Sequence, residues 1–168
     1  TFSIQIYMDL SGYTDIALGL GKMLGYKLPV NFNRPYLATS IANYWQRWHI
    51  TMSSFFRDYL YSFIETWKWC GIYTKLIIVF VAIGFWHGAG WNFLLYGAIH
   101  GSLVALEHYK KAKRTALGKP PILHRRSILV LQIFKIFTIV ALTRLLFRGD
   151  SIGSSYDYLV NIFATTSS

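Results

Sequence analysis

Cysteine is nearly absent: Cys70 is the only one in 168 residues. One thiol closes no disulfide within the chain and builds no CxxC redox motif or Cys-based zinc site. Charge is scarce too, at 14% of residues against about 25% in ordinary globular chains. Acids are the scarcest, with 7 Asp+Glu facing 17 Lys+Arg for a formal net charge of +10. Set beside 54% hydrophobic and 18% aromatic residues, this excludes a disordered tail, a collagen-like chain and an ordinary cytosolic enzyme. Phosphate loops are missing. Gly19-Leu20-Gly21 runs on to Leu24 where a dinucleotide fingerprint needs its third glycine, and Gly21-Lys22 is followed by Met23, not Ser or Thr. No GxSxG elbow and no internal repeat is present. The first residues show no basic n-region ahead of an apolar stretch, so no signal peptide is expected there.

What the chain does have is apolar length. A membrane helix needs about 20 mainly apolar residues, and 127–147 supplies them, with Lys135 inside and Arg144 near the end, where it is expected to snorkel. The stretch 72–108 is longer. As one helix its apolar part would run roughly 50 Å, well past a hydrocarbon core of about 30 Å. Gly88-Ala89-Gly90 offers a break, giving two segments near 73–87 and 91–108. Irregular backbone at membrane depth is tolerated only where protein or a water-filled cavity covers it, so the break points to a site.

Between these spans, 109–126 carries seven basic residues and no acid. It is expected to be a cytoplasmic loop, because short basic loops stay on that side. The basic residues lie between apolar segments and do not decorate a hydrophilic surface, so no nucleic-acid partner is expected. Residues 1–30 form a candidate packing helix in which Ala17, Gly21 and Gly25 make a small-residue stripe. Asp9 and Asp15 in that segment are expected to pair with Arg34, Arg47 or Arg57. Asn31–Tyr36 reads as a turn. Residues 40–64 follow as an amphipathic helix whose aromatic face carries Trp45, Trp48, His49, Met52, Phe56, Tyr59 and Phe63.

Histidine carries the chemistry that can be read. His87 sits in the glycine break, where a substrate could approach the backbone. Imidazole titrates nearest neutrality and is the usual general base; a packing role across helices is about equally compatible with the residues alone. His49, on the aromatic face, reads as an interfacial anchor, and His100 as a packing or hydrogen-bonding residue. His108 and His124 read as loop residues. Spacings of 38 and 13 between His49, His87 and His100 match no compact ligand pattern, so no metal is expected.

The segments QIYMDLSGYTDIALGLGKMLGYKLPVNFNRPYLATSIANYWQRWHITMSSFFRDYLY and GFWHGAGWNFLLYGAIHG resemble the membrane-bound O-acyltransferase family, in its bacterial alginate and peptidoglycan O-acetyltransferase branch. The likeness runs from about Ile4 to Tyr109 and is weaker over Leu146–Ser151. It implies an all-α, polytopic membrane protein whose helices surround a tunnel, seated in the bacterial inner membrane. It implies His87 of the WHG motif as catalytic residue and His49 of RWH as the second, with Trp86, Gly88 and Trp48 beside them binding substrate. The implied reaction moves an acetyl group from a cytoplasmic thioester, acetyl-CoA, towards a cell-surface polysaccharide, with no bound cofactor. A periplasmic esterase-like acetyltransferase is the implied partner, besides the thioester donor and the lipid bilayer. After Arg57–Tyr61 relatives read IPLGGN, whereas this chain reads SFIETW. Relatives extend further at the N-terminal side, so the chain is expected to be a C-terminal fragment. D-alanyl transfer from a carrier protein to teichoic acid remains an alternative, as do a His-lined transporter and a non-catalytic truncated membrane fragment.

Overall fold

The computed structural model describes residues 2–120, 126–149 and 151–164, and every regular element among them is helical. His124 and Pro121 of the basic stretch, with Asp150 of the tail motif, lie outside the described residues.

Helix α1 spans Phe2–Met23. It ends where Gly25 takes a left-handed conformation (φ 81°), with Tyr26 N–H donating to the Gly21 carbonyl at 2.8 Å and Gly25 N–H to Lys22 at 3.1 Å. That is a Schellman stop. Gly25 therefore serves the turn and not the small-residue stripe, and Gly21 is covered by the Leu28 side chain, not by another helix. Asp9 and Asp15 lie on exposed faces of α1, so neither needs a buried counter-charge. The ion pair found among the described residues joins Arg57 to Asp58 at 2.7 Å, and that hydrogen bond holds the Asp58 carboxyl below the usual carboxylate range. Asp15 and Arg34 instead line one open cavity of about 310 Å³ between α1 and the 30–34 loop.

The stretch 40–64 is not one helix. Short helices α2 (Ile41–Trp45) and α3 (Ile50–Phe55) are separated by an irregular turn. A π-helical turn at Phe56–Tyr61 leads into α4 (Ser62–Glu65). The wider i→i+5 winding shifts the inward register. After Met52 and Phe56 the inward residues are Leu60 and Ile64, while Tyr59 and Phe63 face out. Five-residue α2 is capped from a distance. Glu107 accepts from Ile41 N–H at 2.9 Å and Ala42 N–H at 3.0 Å, and Ser40 Oγ accepts from Asn43 N–H at 3.0 Å. All three leading amides are thereby satisfied.

Helices α5 (Ile72–His87) and α6 (Trp91–Ala116) form an antiparallel hairpin around Gly88-Ala89-Gly90. They cross backbone to backbone. A Cβ at Gly84 would stand 2.2 Å from the Phe93 carbonyl, one at Gly97 2.3 Å from the Phe80 carbonyl, and one at Gly101 2.9 Å from Ile77 Cα. The GxxxG of Gly97 and Gly101 is the close-packing stripe of this chain. Helix α6 does not stop at 108 but continues through the basic residues to Ala116. Lys and Arg are good helix formers, and cations near a C-terminus interact well with the helix dipole. Gly118 (φ 63°) then closes it.

Helix α7 (Arg126–Thr143) runs into a 3₁₀ turn, Arg144–Phe147. Together they form the one helix among the described residues that is long and apolar enough to cross a membrane. Helix α5, at 16 residues, extends only about 24 Å. Helix α8 covers Ile152–Ala164. The core gathers Tyr44, Trp45, Trp48, Phe80, Tyr96 and Val140, and so joins α2, the hairpin and α7.

Candidate active site

The turn between α2 and α3 carries His49. Its backbone is left-handed (φ 44°, ψ 56°), which costs a non-glycine residue on the order of 1–3 kcal/mol. The conformation persists because the Asn31–Asn33 segment holds both sides of the turn. Ile50 N–H donates to the Asn31 carbonyl at 2.9 Å, and Asn33 N–H donates to the Arg47 carbonyl at 2.9 Å. Buried Asn31 also accepts at Oδ1 from Thr51 N–H (3.2 Å) and Thr51 Oγ (3.0 Å). The His49 ring rests near Phe32, and its buried Nδ1 has no hydrogen-bond partner.

His87 is the last residue of α5. It sits at a helix end beside the glycine turn, not partway along a continuous span. Its ring packs edge-on against Trp86 (centroids 4.8 Å) and against Phe147 (5.0 Å). The same Trp86 ring meets His49 edge-on at 6.1 Å. Two imidazoles 38 residues apart in sequence thus flank one indole, which is 56% exposed. The glycine at 88 is explained by packing: a Cβ there would stand 2.4 Å from the Phe93 ring.

Trp48 packs into the core. It is 5% exposed, lies roughly parallel to Tyr44 (centroids 5.8 Å, 15°), and carries the Arg144 guanidinium over its ring at 3.8 Å. Its motif neighbour reaches the site and Trp48 itself anchors the turn to the core. Arg144 does not snorkel either. It is 3% exposed, donates to Tyr44 Oη at 2.6 Å, and leaves its Nε without a partner. The Trp48 face and the Tyr44 hydroxyl hold the cation among aromatics, so its head has no path to an interface.

His100 stays apart from the other two histidines. It is fully buried, accepts at Nδ1 from Trp45 Nε1–H (3.2 Å), and faces Thr143 Oγ at 2.9 Å. Thr143 has backbone carbonyls of Ile139 and Val140 to donate to (3.0 and 3.1 Å), so His100 donates from Nε2 and is the neutral Nε2–H tautomer. It ties α2 to α7 through α6.

His100 is the buried hydrogen-bonding residue that its sequence context suggests. The roles of Arg144 and Asn31 depend on partners brought from far along the chain. The left-handed turn yields a prediction. His49→Gly relieves backbone strain and His49→Ala does not, so the glycine variant should be about 1–2 kcal/mol more stable than the alanine variant. Thermal unfolding of the two solubilised variants reads this difference.

The described residues are thus all-helical, with one helix long and apolar enough to cross a membrane and two histidines meeting at one exposed tryptophan. The chain matches the membrane-bound O-acyltransferase family, MBOAT, over residues 1–146, and it belongs to that family. It is 45% identical over 117 residues to a peptidoglycan O-acetyltransferase of Helicobacter pylori, covering 68% of this chain and 22% of that protein. It is 44% identical over 108 residues to a protein of Azotobacter vinelandii named "Probable alginate O-acetylase", covering 63% and 22%. A teichoic acid D-alanyltransferase of Streptococcus thermophilus aligns over 164 residues at 29% identity, covering 88% and 40%. The chain spans about a fifth of the length of the O-acetyltransferase relatives it matches.

Proposed function

We propose that this chain carries the catalytic histidines of a bacterial inner-membrane O-acetyltransferase. It would move an acetyl group from acetyl-CoA on the cytoplasmic side towards a cell-surface polysaccharide of the alginate or peptidoglycan type. The observation that carries the reading is the meeting of His49 and His87 at the exposed face of Trp86. In the reaction, His87 takes the proton of an acceptor hydroxyl as the oxygen attacks the thioester carbonyl. The C–O bond forms, the C–S bond breaks, and the thiolate recovers the proton from the imidazolium. His49, across Trp86, orients or polarises a reactant. The missing remainder of a tunnel would come from further helices, with the basic stretch 109–126 facing the cytoplasm. A periplasmic esterase-like partner would complete delivery to the polymer.

A second reading is D-alanyl transfer from a carrier protein to teichoic acid. It is favoured by one observation: the D-alanyltransferase relative aligns over more of the chain, 164 residues against 117. Mass spectrometry of surface polymers from cells with and without the intact gene separates the two. Loss of O-acetyl groups on deletion supports the first reading, and loss of D-alanyl esters supports the second. An unchanged polymer overturns both.

A further inference from the structure

The four-residue turn Arg144–Phe147 reaches the neighbours of both histidines. At one end the Arg144 guanidinium lies over Trp48, the residue before His49, and bonds Tyr44 at the end of α2. At the other end the Phe147 ring packs edge-on against His87 and also against Phe93 and Tyr96 (5.2 and 4.6 Å). The turn itself is tied down on both sides. Asn92 Nδ2, at the start of α6, donates to the Leu146 carbonyl at 2.9 Å and to the Gly149 carbonyl at 3.0 Å. The His100–Thr143 bond holds the residue just before it.

The buried guanidinium has no carboxylate within ion-pair distance among the described residues. Burying a cation without a counter-ion is costly. Even buried ion pairs can often be replaced by well-packed apolar groups without loss of stability, so global stability alone does not explain a charge here. A planar, rigid guanidinium does what an apolar group cannot: it covers an indole face and hydrogen-bonds a phenol at the same time.

We propose that the Arg144–Phe147 turn is a bracket that sets the spacing of His49 and His87, with Arg144 and Phe147 as positioning residues. It rests on the proposed function only in that the spacing matters for acyl transfer. Lysine at 144 keeps the charge but loses the planar face, and leucine at 147 keeps apolar bulk but loses the ring edge against His87.

The test uses the intact gene product, solubilised and folded, with Arg144→Lys and the milder Phe147→Leu. Diethyl pyrocarbonate modification of each histidine is followed by peptide mass spectrometry. Arg144→Lys should speed labelling of His49, and Phe147→Leu should speed labelling of His87. In the transfer assay, kcat should fall about 100-fold at unchanged donor KM, the scale of a displacement of about 1 Å at a reacting group. Unchanged labelling of both histidines overturns the inference whatever the turnover. So does unchanged kcat in both variants when His87→Ala is inactive. Faster labelling while His87→Ala retains full transfer upholds the bracket and overturns the functional reading instead.

Discussion

His87→Ala should lower acyl transfer by roughly 10²–10⁴-fold, the usual contribution of a positioned general base. The protein should still reach the membrane. His87 ends α5 beside a glycine turn, and among the described aromatic side chains its ring packs against Trp86 and Phe147. Truncating it removes two edge contacts and no described hydrogen bond, so the fold should tolerate the change. His100→Ala is the opposite case. It strips partners from Trp45 and Thr143 in the interior, so its loss of transfer should come with a loss of folded protein. Measuring O-acetylation per mole of membrane-inserted protein separates the two. Full acetylation by His87→Ala at normal expression would remove His87 from the reaction.

Gly97→Ala should be strongly damaging for a single added methyl. The new Cβ would stand 2.3 Å from the Phe80 carbonyl and 2.9 Å from Val81 Cα. Both obstacles are backbone, so no rotamer relieves them, and the hairpin must open. Overpacking of this kind costs typically about 1–3 kcal/mol. Opening the hairpin also shifts α5 relative to α6, and His87 is carried at the end of α5. The variant should unfold at lower temperature and lose transfer even where it remains folded. Gly12→Ala is the control, because a Cβ there meets nothing within 4 Å. Equal midpoints for the two variants would show that the close crossing is not tight.

These outcomes depend on features that the sequence carried unevenly. The hairpin was legible because glycines marked its turn and a run of 72–108 was too long for one span. The candidate 127–147 was legible from apolar length, and α7 with its 3₁₀ turn covers it. The turn at 46–49 was not legible. It contains no glycine or proline, and helical periodicity runs straight through it. It exists because Asn31 and Asn33, 14 to 20 residues earlier, bond its two sides. The π-turn was hidden for the same reason: its winding leaves the composition unchanged and moves only the register. The GxxxG of Gly97 and Gly101 is the close-packing signal present in the sequence, whereas in the small-residue spacing of Ala17, Gly21 and Gly25 neither glycine packs against a helix. Gly25 has a glycine's reason to be there, but it is a helix stop.

Arg144 lies near the end of an apolar run, which suggests an interface, yet its head is buried. Its partners Tyr44 and Trp48 stand about a hundred residues away, and no local pattern predicts them. Trp48 is buried although its neighbour is not. The motif places Trp48 and His49 side by side, but the left-handed turn sends them to different places, one into the core and one towards Trp86.

The central claim is that His87 drives transfer of an acyl group from a thioester to a hydroxyl. It is tested most directly by reconstituting the intact gene product together with the periplasmic esterase-like partner in liposomes, with acetyl-CoA on the face bearing the basic stretch. Free thiol release and acetyl esters on the acceptor polysaccharide are counted together. One ester per thiol released is expected, with both lost in His87→Ala. Thiol release and ester formation that persist undiminished in that variant would contradict it.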